Sequence, residues 1–449
     1  MALNHHDDLL IHSLNGANVE ATFFGLRRFI KSNGWIGKNN RYSTGTVAKI
    51  VSELRAGNIQ KVGHLSQYVA ASSLLHCADG WSYLGKSILA LLRGDPHRCR
   101  HFGYYAELRA AMSLLAAQGV GVFDRKHVII NGKNSVVPFT GSYGTHQFAW
   151  DSLKCWSALP ASGNMFARII RPNGLTLDEW MAPLGGGIAV APQAENWFQQ
   201  WGMDLKLGLD DRNLRNESSY RPDGLPNAWY LDGKDAVTFI HGLWSTLEPS
   251  EDSRFNAIDR HILRIALEQF FKGRYGRAST TAPQKYQQFV ASILTPLNFS
   301  PEIEKWWIDF LTRKIHKIDP EIFSSSGESP SKQSTSYASI ISRATLLLRV
   351  ASGAALGLLQ TASLTADSTM FWWNNLGVAR GLWDGAKSAD QLTDLWADID
   401  LILRDLETFQ QKHGANNQSF LRVGSELGSS LFGLGSCERV AIWSMTPSI

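Results

Sequence analysis

A chain of 449 residues with 44% hydrophobic and 19% charged side chains is long enough for several domains or one large core, and too apolar to be disordered as a whole. Its 44 basic residues stand against 40 acidic ones, a formal charge of +4. No global field therefore draws it onto nucleic acid, and any such binding needs a local patch.

Residues 1–125 read as an N-terminal helical region. Apolar residues recur three and four apart over 20–31 (EATFFGLRRFIK), 46–54 and 65–77, the period of one helix face. A further helix at 83–92 stops at Gly94-Asp95-Pro96, a turn that helices do not cross. The strongest helix spans 102–118 (FGYYAELRAAMSLLAAQ), with Gly119 where a C-terminal cap belongs.

Residues 126–323 form a mixed, loop-rich helical middle region. It begins at 127–139 (HVIINGKNSVVPF), where β-branched runs flank Asn131-Gly132, a dipeptide suited to a tight hairpin turn. A helix at 147–159 ends before Pro160, a Gly- and Pro-rich loop covers 172–192, and a helix at 194–209 sets Trp197 and Trp201 one turn apart. Helical patterns follow at 235–245, 254–273 and 301–317. Residues 324–338 read as a flexible Ser-rich linker, because SSSGESPSKQSTS has no large apolar side chain to offset the entropy of ordering. A C-terminal helical domain, 339–449, carries helices at 339–363, 370–384 and 389–413 and a Gly/Ser-rich tail from Gly424. The expected fold class is mainly α: a multi-helical bundle with a small β-hairpin insertion and a helical C-terminal domain.

Residues 344–362 approach the length of a membrane span. Arg349 interrupts them, and a mid-membrane Arg costs about 2.5 kcal/mol or more, so a buried helix is the expectation and no membrane partner is expected. Cys77, Cys99, Cys155 and Cys437 are scattered with no C-x-x-C pair, and the N-terminus lacks the order of a signal peptide. Both features suit a reducing cytoplasm.

Several strings resemble chemistry. Gly80-Trp81-Ser82-Tyr83-Leu84-Gly85-Lys86-Ser87 fits G-x-x-x-x-G-K-S, in which amides wrap phosphate, Lys reaches it and Ser binds a metal ion. Against nucleotide binding by Lys86 and Ser87, the preceding run reads as helix and the inner positions hold bulky rings. His97, Cys99 and His101 could be drawn with His76 and Cys77 as a zinc site, but helical residues two apart point in different directions, and no metal is expected. His5-His6-Asp7-Asp8 resembles a ligand set by composition alone. Arg93, Arg98, Arg100 and His101 form the densest basic cluster, the best local candidate for RNA or phosphate.

In 210–222 (DDRNLRNESSYRP) a helix would put Arg212, Arg215, Asn216 and Tyr220 on one face, offering guanidinium, amide and phenol to a phosphodiester. The alternative is a capped polar turn in which Arg215 pairs with a carboxylate. Arg215-Asn216-x-x-x-Tyr220 resembles the R-N-x-x-x-H core of HEPN-type helical RNases, and YYAELRAA in 102–118 looks like an earlier helix of that bundle. The resemblance implies a metal-independent endoribonuclease with no cofactor, acting at a dimer or pseudo-dimer interface, often in bacterial toxin–antitoxin or phage-defence systems. Arg215 would stabilise phosphate charge, Asn216 orient it, Tyr220 position or donate a proton, and Arg212 assist. Tyr220 stands where the family has His, and a phenol with pKa of about 10 is a weak base at neutral pH. The bundle would then hold RNA or dimerise, or His146 or His241 would complete the site. The competing expectation is a non-catalytic scaffold subunit with a protein partner, based on Trp306-Trp307, Trp372-Trp373, Trp383 and Trp396 among the 16 tryptophans.

Overall fold

The computed structural model describes residues 3–132, 135–198, 232–250, 253–313, 319–327, 336–383, 394–414 and 418–447. Helices α1 (His5–His12), α2 (Gly16–Ile30) and α3 (Thr46–Arg55) precede two long ones, α4 (Val62–Leu92) and α5 (Pro96–Ala117). A three-stranded antiparallel sheet follows, in the order β1 (Val120–Gly121), β2 (Val128–Gly132), β3 (Ser135–Pro138). The middle holds α6 (Thr145–Ser157), α7 (Pro160–Ile169), α8 (Leu177–Trp180), α9 (Gly187–Phe198), α10 (Gly233–Thr246), α11 (Asn256–Tyr275), α12 (Pro283–Leu294), α13 (Pro301–Thr312) and α14 (Glu321–Ser325). The rest is α15 (Ser336–Thr361), α16 (Ala366–Arg380), α17 (Asp394–His413), α18 (Phe420–Glu426), α19 (Gly428–Leu434) and α20 (Glu438–Met445). The architecture is mainly α with one small β insertion, as the periodicity predicts.

The centre is α4, α5 and α15 packed together. Small side chains let these helices approach. A Cβ on Gly80 would lie 2.5 Å from the Leu348 side chain, and one on Gly103 would lie 3.1 Å from Ile340. Two buried hydroxyls find partners across the seams: the Trp81 indole donates to Ser352 Oγ at 2.9 Å, and Ser113 donates to the Ser73 carbonyl at 2.7 Å. The turn between α4 and α5 uses Gly94 at φ 72°, and Asp95 caps α5 through the Arg98 amide. At the N-terminus, Asp7 is buried and accepts from the Thr140 and Gly141 amides at 2.8 and 2.9 Å, tying α1 to the loop after β3.

Among the described residues one helical stretch, Tyr337–Thr361, is long and apolar enough to cross a membrane, and most of it is buried inside the protein. Its two arginines are buried and ion-paired. Arg343 meets Glu107 at 2.9 Å, and Arg349 forks onto Asp259 at 2.8 and 2.7 Å.

Several sequence expectations shift. The helices expected at 65–77 and 83–92 are one, because the glycines at 80 and 85 serve packing and do not break α4. The expected loop at 172–192 contains α8 and the first half of α9, with Pro192 inside a helix. Pro160 does not merely end α6 but opens α7 as its first residue, where a missing amide hydrogen is tolerated. Asn131-Gly132 belongs to β2, since Gly132 pairs with Ser135, and the hairpin connection falls at 133–134, outside the described residues. The helix α12 went unrecognised in the sequence. The expected Gly/Ser-rich tail contains α19 and the buried α20, with Trp443 only 1% exposed. The hydrophobic core takes in residues from Leu3 to Met445, and Ser325 and Ser326 are buried; residues 328–335 of the expected linker lie outside the described residues. Tryptophan is chiefly a core residue here: Trp81, Trp156, Trp180, Trp197, Trp244, Trp307, Trp373 and Trp443 are fully buried, whereas Trp306 is 45% exposed.

Candidate functional site: an arginine-lined cleft

Residues 80–87 lie wholly within α4, so their amides serve the helix and form no phosphate-wrapping loop. Lys86 sits over the Tyr83 ring at 4.8 Å, and Ser87 is buried, donating to the Cys99 carbonyl at 2.6 Å. A Cβ at Gly85 would lie 2.0 Å from the Gly435 carbonyl oxygen. Both glycines of the P-loop-like string are therefore explained by helix contact, which corrects the nucleotide-loop alternative.

The basic string at 93–101 is split by helical geometry. Arg93 and Arg98 are exposed, Arg98 beside Asp95 at 3.4 Å, whereas Arg100 is only 3% exposed. His101 packs on Phe102 and Tyr105. These residues do not share one open face, because positions two apart on a helix diverge. Among the described residues no group of three or more His, Cys, Asp and Glu is placed to hold a metal ion. Asp7 of the His5–Asp8 string is occupied with Thr140 and Gly141: burial pushes its carboxyl up, but the amide and hydroxyl donors outweigh that and leave it below the ordinary value. Arg212, Arg215, Asn216 and Tyr220 lie outside the described residues. His146 accepts from or donates to Tyr104 Oη at 2.8 Å, and His241 lies 3.2 Å from Glu407.

Basic side chains converge elsewhere. A cleft of about 580 Å³ is lined by the start of α2, the end of α7, the segment before α11, and one face of α15. Its four arginines are Arg168, Arg171, Arg254 and Arg349, and its carboxylates are Glu20 and Asp259. Asp259, fully buried, organises the site. It takes the Arg349 fork and also accepts from the Arg171 amide at 2.8 Å, while Arg349 donates to the Ile169 carbonyl at 2.7 Å. These bonds join α11, α15 and the end of α7, and so place Arg168 and Arg171 at the exposed edge of the cleft. Neither of those two side chains makes an ion pair with a described residue. Arg254 donates to the Trp443 carbonyl, and burial pulls its pKa down to about 10, which still leaves it charged at neutral pH. Arg349 also lies 4.8 Å over the Phe255 ring, which stacks on Trp81.

Asn15, Gln118, Asn164 and Gln360 add four side-chain amides, and no histidine or cysteine is present among the described lining residues. The glycines of α15 have two separate reasons. A Cβ at Gly353 would meet Ile169 at 2.8 Å and Arg349 at 3.0 Å, whereas one at Gly357 would meet nothing within 4 Å. Glycine inside a helix costs roughly 1 kcal/mol relative to alanine. At Gly357 no packing contact calls for it, and its effect is to leave space along α15.

Sequence reasoning missed this cleft. Arg349 drew notice only as an obstacle to membrane insertion, and Arg168, Arg171 and Arg254 sit in separate segments that folding brings together. An Arg inside an apolar helix was the available signal, since it demands a buried partner. The chain matches no protein-family model, no curated protein and no solved structure.

Proposed function

We propose that the protein binds a phosphate-bearing ligand in this cleft, and that it acts there as a binding module. The observation that carries the reading is the assembly of four arginines from α7, the segments beside it and before α11, and α15 around one opening whose described lining holds only two carboxylates. Guanidinium groups match phosphate oxygens in a planar, two-point fashion. The described lining has neither imidazole nor thiol to move a proton or attack phosphorus, which favours holding over cleaving. RNA is the polymer that the resemblance of 215–220 to HEPN-type RNases favours, and it would carry the same phosphate chemistry. Of the six tryptophans behind the scaffold alternative, Trp307 and Trp373 are buried, Trp372, Trp383 and Trp396 are partly buried against the core, and Trp306 is exposed.

The test is fluorescence anisotropy with a labelled single-stranded RNA at fixed salt. Wild type is expected to bind, and Arg168→Ala/Arg171→Ala to bind at least tenfold more weakly with an unchanged melting temperature. Equal binding by the two proteins would remove the cleft from the interaction.

A further inference from the structure

Phosphate recognition alone leaves part of the cleft unexplained. Phosphate oxygens only accept hydrogen bonds, and arginines suffice for them. Gln118, Asn164 and Gln360 each bring a carbonyl acceptor as well as an amide donor, and Asn15 brings an amide donor while its carbonyl caps α2 through the Ala17 amide at 3.0 Å. That mixture suits a ligand body with its own donors and acceptors, such as a base edge or a sugar. The volume, about 580 Å³, lies within the roughly 300–1,000 Å³ typical of small-ligand pockets and fits one such unit. Gly353 and Gly357 are four apart on α15 and share a helix face. The second leaves open space where any larger side chain would project.

We infer that the cleft takes a single nucleotide unit ending in a phosphomonoester, its phosphate at Arg168 and Arg171 and its nucleoside body along α15 at Gly357. This rests on the phosphate-binding reading above and narrows it to one ligand class. The unit has two sources, a free mononucleotide or the 5′ end of an RNA, with the same chemistry.

Isothermal titration of the full chain tests it with 5′-AMP, GMP, CMP and UMP, adenosine, inorganic phosphate, and one RNA decamer with and without a 5′ phosphate. At least one mononucleotide or the phosphorylated decamer is expected to bind at least tenfold tighter than inorganic phosphate, and adenosine tenfold weaker than AMP if AMP binds. Preference for the phosphorylated decamer over both the mononucleotides and the 5′-hydroxyl decamer assigns the source to an RNA end, and preference for mononucleotides assigns it to the free ligand. Gly357→Phe is expected to weaken binding at least tenfold with no fall in melting temperature. Gly357→Leu repeats the obstruction with a smaller side chain, so a destabilised phenylalanine variant does not decide the result. Two results overturn the nucleotide assignment: equal affinity for phosphate and for every nucleotide-bearing probe, or normal binding by both Gly357 variants. If Arg168→Ala/Arg171→Ala still weakens phosphate in that case, the broader reading stands. If no phosphate-bearing probe depends on those arginines, both fall.

Discussion

Removing the Asp259 carboxylate isolates the physical basis of the cleft. In Asp259→Ala, Arg349 keeps its charge at 4% exposure with the Ile169 carbonyl as a remaining acceptor, and the Arg171 amide loses its acceptor. Breaking one side of such a buried pair costs about 3–5 kcal/mol. Arg349→Met strands Asp259, at 0% exposure, and carries a similar penalty. Independent losses would sum to roughly 6–10 kcal/mol. The double variant Asp259→Ala/Arg349→Met buries neither charge. Its loss should be about 2–3 kcal/mol, chiefly from the unsatisfied amide and carbonyl at 171 and 169. Urea unfolding followed by tryptophan fluorescence measures all three variants, and Trp81, stacked near this pair through Phe255, is well placed to report. A double variant as unstable as the two single losses added together would refute the claim that these charges compensate one another.

Other predictions concern packing and pH. Gly85→Ala sets a Cβ against backbone, the Gly435 carbonyl at 2.0 Å, whereas Gly80→Ala meets the movable end of Leu348 at 2.5 Å. Thermal melting should show Gly85→Ala destabilised by about 1–3 kcal/mol and Gly80→Ala by less. The reverse order would contradict the packing explanation of these glycines. Gly357→Ala meets nothing and should raise stability by about 0.5–1 kcal/mol in the same melts. Burial pulls the His127 pKa from 6.5 to about 4, against the opposing effect of its bond to the Tyr143 carbonyl. Between pH 6.5 and 4 the unfolded chain therefore binds a proton that folded His127 does not, and stability falls as pH drops, by about 1.4 kcal/mol per pH unit. His127→Gln should flatten that slope in urea titrations from pH 7 to 4.5, and an unchanged slope would exclude His127 as its source.

The helical character and most helix positions were legible because amphipathic spacing and capping residues act locally. The period over 102–118 became α5, and Pro96 and Asp95 marked its start. What failed was punctuation whose meaning depends on distant neighbours. Gly80 read as part of a break between two helices until Leu348 is seen beside it. Pro192 read as the end of a Gly- and Pro-rich loop, yet it lies inside α9. The tail after Gly424 read as loose, yet Val440, Ala441 and Trp443 bury α20 in the core. Site residues were harder still. Runs of charge such as 93–101 are visible in sequence, but a helix turns Arg98 outward and Arg100 inward. Arg168, Arg171, Arg254 and Arg349 form no run and come together only in the folded cleft, where Asp259 holds the Arg349 side chain and the Arg171 amide.

The central claim, that this junction presents cations to a phosphate-bearing ligand, is tested most directly by charge reversal. Isothermal titration of inorganic phosphate and of 5′-mononucleotides into wild type and Arg168→Glu/Arg171→Glu, at one pH and salt concentration, reads the effect. At least one of these ligands should bind wild type, and the reversed variant should lose that binding while melting at the same temperature. Undiminished binding by the folded, charge-reversed protein would contradict it.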